Sequence, residues 1–184
     1  MRSREPILDA TREAIGDAGF DGVTIAAVAK RAGVSRQTVY SIFGTREELV
    51  SQAISERLTS LFGAVSDLQS STTTPLDLLV EILVVTRGHI LGDPLLRTLT
   101  LAGGSNPIFD PGAAERARRY ARSLLVPATE QFPQLVPHLD FFSDVGVHVG
   151  WSVLCLDSPE ARSDADLRTF LRTWLEPLVA HLLE

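Results

Sequence analysis

An all-α chain is predicted: an N-terminal three-helix block holding a helix-turn-helix, followed by a longer helical bundle. Apolar residues recur at spacings of three and four along nearly the whole length, no segment alternates with the period of a half-buried strand, and the periodic runs are bounded by residues that start or stop helices. The first helix is expected from about Pro6 to Gly19, with Ile7, Ala10, Ala14 and Ile15 facing inward and Gly19 as its C-terminal cap. Asp21-Gly22 turns the chain, and Thr24 is placed to cap a second helix, TIAAVAKRAG, that Gly33 ends. A short third helix starts at Ser35. The Gly44-Thr45 break separates it from a fourth, about Arg46 to Leu61.

The stretch SDLQSSTTTP reads as an exposed loop after this block. The domains are therefore expected at residues 1–46, with a fourth helix over 46–62 connecting, and 47–184. Beyond the loop the pattern predicts helices at about Leu76–Leu91 and Pro94–Ala102, a loop GGSNPIFDPG, and a helix from about Ala113 to Phe132 kinked at Pro127. That helix carries an inward stripe of Ala113, Ala117, Tyr120, Ala121, Leu124 and Ala128. Two long helices, about Asp140–Leu156 and Asp164–Leu183, close the chain, with Pro177 expected to bend the last or to place its first half elsewhere.

With 45% hydrophobic and 22% charged residues the 184-residue chain has the composition of a globular protein. The single Cys155 can form no internal disulfide, and no His or second Cys stands at metal-ligand spacing, so the cytoplasm is the expected compartment and no metal or cofactor is expected. The opening MRSREPILDATREA is charged and amphipathic, unlike a secretory leader. The longest apolar run, Leu76 to Leu91, is interrupted by Asp77, Glu81 and Arg87 and is too short to span a bilayer, so no membrane partner is expected.

A net charge of -6 argues at first against a nucleic-acid partner. Its distribution reverses that. Up to Ser60 eight basic residues balance eight acidic ones, so the deficit lies wholly later in the chain. Between Thr24 and Arg46 stand Lys30, Arg31, Arg36 and Arg46 with no acid among them, a positive strip.

The spacing of this strip matches a DNA-reading helix pair. Ala29 is small where two helices cross, Gly33 suits a left-handed turn, and Val28, Val34 and Val39 fill the angle. The third helix then presents Arg36, Gln37, Thr38, Tyr40 and Ser41, side chains that hydrogen-bond base edges and phosphates.

Over about residues 5–58, TIAAVAKRAGVSRQTVYSIFGTREELV resembles the N-terminal signature of the TetR family of transcriptional regulators. The markers are Thr24, Ala29, Gly33-Val34-Ser35, Val39-Tyr40, Phe43, and a basic residue followed by Glu-Glu-Leu. The resemblance implies base contacts from Arg36, Gln37 and Thr38 and phosphate contacts from Thr24, Tyr40 and Arg46, with Ser35 and Ser41 on the same surface. Arg46 stands where the family more often has Lys. Ile42 replaces a more polar or aromatic residue and is expected to pack inside.

One reader grips too few base pairs for specificity, so a homodimer on a pseudo-palindromic double-stranded operator is expected. In the last two helices, Gly146, Val149, Gly150, Val153, Phe170, Trp174 and Leu178 are the candidate interface, as the resemblance implies. A small-molecule effector, hydrophobic or aromatic, would sit among the middle helices, with Arg87, His89, Arg97, Tyr120, Phe132, Phe142, His148 and Trp151 as candidate contacts. Two other function classes compare less well or equally with the sequence. A DNA-binding protein without effector is compatible with the sequence. An enzyme is disfavoured: no Glu-x-x-His occurs, and Gly150-Trp151-Ser152 begins like a nucleophile elbow but lacks its closing Gly.

Overall fold

The computed structural model describes residues 3–101, 112–156 and 158–183. The described residues form α1 (Arg4–Gly22), α2 (Ile25–Arg31), α3 (Arg36–Phe43), α4 (Arg46–Ser71), α5 (Pro75–Gly92), α6 (Pro94–Leu101), α7 (Ala113–Leu125), α8 (Leu139–Cys155) and α9 (Asp164–Leu183), with short 3-10 turns at Val126–Thr129, Pro133–His138 and Pro159–Ala161. No strand occurs among them. The chain divides into two compact units, Met1–Ser60 with Leu91–Pro111, and Leu61–Ile90 with Gly112–Glu184.

In the first unit, α1 buries the expected Ile7, Ala10, Ala14 and Ile15. Its backbone leaves helical geometry at Ala18 and Gly19, so the last turn is set off by a kink. Thr24 Oγ1 accepts the Ala27 N–H at 3.0 Å and Ser35 Oγ accepts the Thr38 N–H at 3.0 Å, so the two reader helices start on side-chain caps. Between them Gly33 adopts φ +68°, which lets the Val34 N–H reach back to the Ala29 carbonyl at 3.0 Å and close α2. Val28, Ala29, Val39 and Phe43 then fill the angle between the helices; each such side chain taken from water contributes roughly 1.5–3 kcal/mol, less for Ala.

Arg46, at the first position of α4, joins three parts of this unit. Its guanidinium donates from Nε to the Val23 carbonyl and from Nη2 to the Phe20 carbonyl, and lies 3.7 Å from the centre of the Phe20 ring. These carbonyls stand at the end of α1, where the helix leaves acceptor capacity open; the Phe20 carbonyl also accepts the Val23 N–H at 2.9 Å. Arg46, expected at a phosphate, has a structural role in this unit: its forked donors fit two carbonyls brought side by side by the α1–α2 turn.

α6 belongs to this unit, although the sequence pattern places it in the C-terminal body. It packs on α1; Leu96 is buried, Leu95 packs against the N-terminal core, and Asp93 pairs with Arg57 at 3.5 Å. Asp93 also caps α6 by accepting the Leu95 N–H at 2.8 Å.

The second unit is built around the later part of α4, α5 and α7–α9. The Ser/Thr stretch expected as a loop is helical to Ser71, because Leu61, Val65 and Leu68 keep an apolar stripe against the core. Only residues 72–74 break the helix; Thr74 caps α5 by accepting the Asp77 N–H at 3.1 Å. α7 ends at Leu125, and Pro127 tightens the chain into a 3-10 turn where a kinked helix was expected. Ala117 is exposed, so the inward face of α7 is Tyr120, Leu124 and Leu125, with Ala128 beyond it. The expected loop over residues 103–112 lies outside the described residues up to 111, as does the side chain of Ala113. Pro177 sits inside α9, which continues through it.

Opposite charges align the helices of this unit. Arg118 pairs with Asp144 and Arg122 with Asp140, the latter at 2.9 Å, a register that only antiparallel α7 and α8 satisfy. Arg168 grips Glu81 with two bonds, 2.6 and 2.9 Å, and Arg172 pairs with Asp77. Thr74 and Arg172 together hold the Asp77 carboxyl below its ordinary range. Solvent-exposed pairs of this kind are worth at most about 1 kcal/mol each, so they fix register more than they supply stability.

Two substitutions test the reader's framework. Nothing lies within 4 Å of a Cβ built at Gly33, so Gly33→Ala meets no clash and should lose only the roughly 1–2 kcal/mol of a left-handed non-glycine backbone, read by urea unfolding. Arg46→Ala should cost about 2–3 kcal/mol through loss of charge-assisted bonds to two carbonyls. Arg46→Lys should recover less than half of it, since a single ammonium cannot reproduce the planar fork. Unchanged melting of Arg46→Ala would exclude the bridging role.

Candidate nucleic-acid interface

α3 is two-sided. Val39 and Phe43 lock it into the core, and the other side presents Arg36, Gln37, Tyr40 and Ser41 to solvent with Thr38 half-buried beside them. Ser35, Gln37, Thr38, Ser41 and Ile42 line one shallow groove. The Ser35 and Thr38 hydroxyls share a hydrogen bond of 2.8 Å, which orients the Thr38 methyl as well as capping the helix. Thr24 is exposed at the start of α2 with its hydroxyl accepting the Ala27 N–H, and its own O–H remains available to an outside acceptor.

Ile42 departs from expectation. It is exposed, on the wall of the groove that Gln37 and Ser41 share, and not packed inside. Alternation of three and four places Val39 and Phe43 on the buried face and leaves residue 42 a step off it.

The four cations of the strip separate into two pairs. Arg31 binds Asp17 at 2.8 Å and approaches Glu13 at 3.8 Å, and Arg46 faces the end of α1. Lys30 and Arg36 are exposed and have no hydrogen-bonded or ionic partner among the described residues. The free positive charge is thus carried by α2's last turn and α3's first.

The other candidates are not gathered into one site. Arg97 is exposed in the first unit, where it lines a shallow groove with Leu91, Gly92, Pro94 and Thr98. In the second unit Phe132 and Phe142 are core residues, and His148 is exposed with Nδ1 2.8 Å from the Asp144 carbonyl. Arg87 donates to the Val153 carbonyl at 3.0 Å. Tyr120 stacks edge-on against Phe62 at 5.3 Å, and burial pushes its phenol well above its ordinary range. His89 and Trp151 are half-buried. Thr86, a residue the sequence did not single out, buries its hydroxyl on α5 without a partner among the described residues.

The interface candidates divide similarly. Val153 is buried in its own unit, and a Cβ at Gly150 would touch Leu83 at 3.5 Å, so both serve internal packing. Gly146 has open space above it, Val149 is half-buried, and on α9 the Phe170 and Trp174 rings stack at 4.8 Å with Trp174 51% exposed and Leu178 half-buried. Among the described residues no group of three or more His, Cys, Asp or Glu side chains could hold a metal ion, and no helix is long and apolar enough to cross a membrane.

Residues 7–53 match the family model for bacterial regulatory proteins of the tetR family. The HTH-type transcriptional regulator AlkX of Mycobacterium tuberculosis is 41% identical over 46 residues, 25% of this chain and 22% of that protein. BetI 1 of Chromohalobacter salexigens is 40% identical over 63 residues, 34% of this chain and 31% of that protein. The alignments thus span less than a third of these relatives, and they fall in sequence, not along the whole fold. The fold itself is shared end to end. The crystal structure of the TetR family repressor AlkX from a Dietzia strain, implicated in biodegradation of n-alkanes, superposes with a TM-score of 0.66 at 21% identity, covering 97% of this chain and 98% of that one. A TetR-family regulator from Streptomyces coelicolor gives 0.56 at 18% identity, covering 97% and 95%. Residues 7–53 thus match the tetR family of bacterial regulatory proteins, and the chain shares its all-helical fold with solved TetR-family structures.

Proposed function

We propose that this protein is a sequence-specific DNA-binding transcriptional repressor, acting in the cytoplasm as a homodimer and released from its operator by a small hydrophobic or aromatic molecule. The observation that carries the reading is α3: a capped helix, locked by Val39 and Phe43, whose outward side chains are those that read base edges. Arg36 offers two donors to guanine O6 and N7, and Gln37 pairs with adenine N6 and N7. Thr24, Tyr40, Lys30 and the free backbone at the helix starts would meet phosphates, positioning the helix without reading sequence. Lys30 joins this set because it has no partner among the described residues, and Arg46 leaves it because its guanidinium is turned to the end of α1.

Two readers about 34–36 Å apart would engage successive major grooves. The exposed Trp174, stacked on half-buried Phe170 with Leu178 one turn on, supports α9 as the surface that brings two copies together, since its other stripe, Leu167, Leu171, Leu175 and Val179, is already buried. The apolar interior of the second unit, and the Thr86 hydroxyl within it, support an effector that is mostly apolar with a polar group. Its binding would shift the dimer toward a state whose readers no longer match the operator, by no more than its preference for that state.

Duplexes enriched from a random pool supply the operator for the test. Arg36→Ala and Gln37→Ala should each weaken binding about 5- to 150-fold, at particular base pairs only. Lys30→Ala should weaken all sequences alike and lower the salt slope by about 1. Losses equal on every sequence for all three variants would overturn this division. Trp174→Glu should sediment as a monomer and lose operator affinity; a dimer would move the interface elsewhere. Titration with hydrophobic compounds, followed by Trp151 and Trp174 fluorescence and by operator affinity, tests the effector. If no compound alters affinity, the regulator acts without one.

A further inference from the structure

Ile42 is the large aliphatic side chain that α3 turns outward, 39% exposed, while Val39 and Phe43 are buried. Single exposed apolar residues are common and by themselves say little. This one lies in the wall of the groove formed with Ser35, Gln37, Thr38 and Ser41, on the surface otherwise made of hydrogen-bonding groups. Its core neighbours do not need it there, and a polar residue would be better solvated.

The edges of a duplex offer one apolar group in the major groove, the C5 methyl of thymine. We infer that Ile42 is a specificity-determining residue that packs against a thymine methyl. The inference rests on the DNA-binding reading of α3. Thr38 stands one turn before Ile42 on the same groove, and its hydroxyl is held by Ser35, leaving its methyl as the outward group available for apolar contact. Four residues of helix rise about 6 Å, nearly two base-pair steps of about 3.4 Å. The two apolar groups therefore favour A·T pairs at positions about two steps apart, and Gln37, suited to adenine, lies between them in sequence.

Duplexes enriched by the wild-type protein are remade with deoxyuridine in place of one thymine at a time within one half-site, which removes only the methyl. Binding is measured for the wild type, Ile42→Ala and Ile42→Thr. At one thymine the wild type should lose roughly fourfold, the worth of one methyl taken from water. Ile42→Ala should bind the two duplexes equally there, and at other thymines it should respond as the wild type does. Ile42→Thr keeps the branched shape and guards against a helix change in the alanine variant; it should lie between them. Equal responses of all three proteins at every thymine, with operator binding intact, would overturn the role of Ile42 alone. Enrichment of no duplex by the wild type would overturn the DNA-binding reading and this inference with it.

Discussion

The bridge from Arg46 to the Phe20 and Val23 carbonyls is the constraint on which the N-terminal unit depends. A cation at the first position of a helix is unfavourable against the positive end of the helix dipole, and the two residues after it, Glu47 and Glu48, are the acids that position prefers. Arg46 sits there because its guanidinium leaves the helix axis for acceptors at the end of α1, and because the Phe20 ring gives the cation an aromatic face. One side chain thereby ties the start of α4 to the turn that launches α2. The α2–α3 pair hangs from that turn. Its inner face is fixed by Val28, Ala29 and Val39, so α3's outward face is as rigid as the core behind it.

The second unit solves a different problem with the same means. α9 carries more apolar surface than one chain buries: Leu167, Leu171, Leu175 and Val179 fill the core, while Phe170, Trp174 and Leu178 lie on its flank. Charges at its borders set which stripe turns inward. Arg168 and Arg172, one turn apart, meet Glu81 and Asp77, one turn apart on α5, and this ladder holds the helix in one rotation. A rotation that buried Trp174 would separate both pairs.

What could be read from the sequence was local. Thr24 and Ser35 as caps, Gly33 as the left-handed link and the stripe of α1 follow from neighbours within five residues, where spacing alone decides geometry. The features that spacing does not reveal depend on distant partners. Arg46 reaches residues 23 and 26 positions earlier, and no periodicity announces a guanidinium that turns back to two carbonyls. The Ser/Thr stretch stays helical because Leu61 and Val65 find a core built from residues later in the chain, which outweighs composition. α6 joins the first unit through Leu95 and Leu96, whose partners on other helices precede it in the chain by tens of residues. Ile42, expected to pack because it replaces a more polar or aromatic residue, is carried away from Val39 and Phe43 by its place in the 3.6-residue turn.

Charge pairing gives the proposed reader its character. Of four cations in the strip, Arg31 is neutralised by Asp17 and Glu13, Arg46 is turned toward α1, and Lys30 and Arg36 are left. Nonspecific affinity for a duplex comes from cations that displace counterions, so the two free cations of the strip supply little of it, and a protein of net charge -6 is repelled from the backbone elsewhere. On the DNA-binding reading, occupancy then depends on contacts that discriminate between bases and on two copies engaging one duplex at once. Weak nonspecific attraction is an advantage to such a reader, because affinity for a site is useful only in proportion to its excess over all competing sites. It also makes release easier: once one reader loses its groove, few phosphate contacts remain to hold the other.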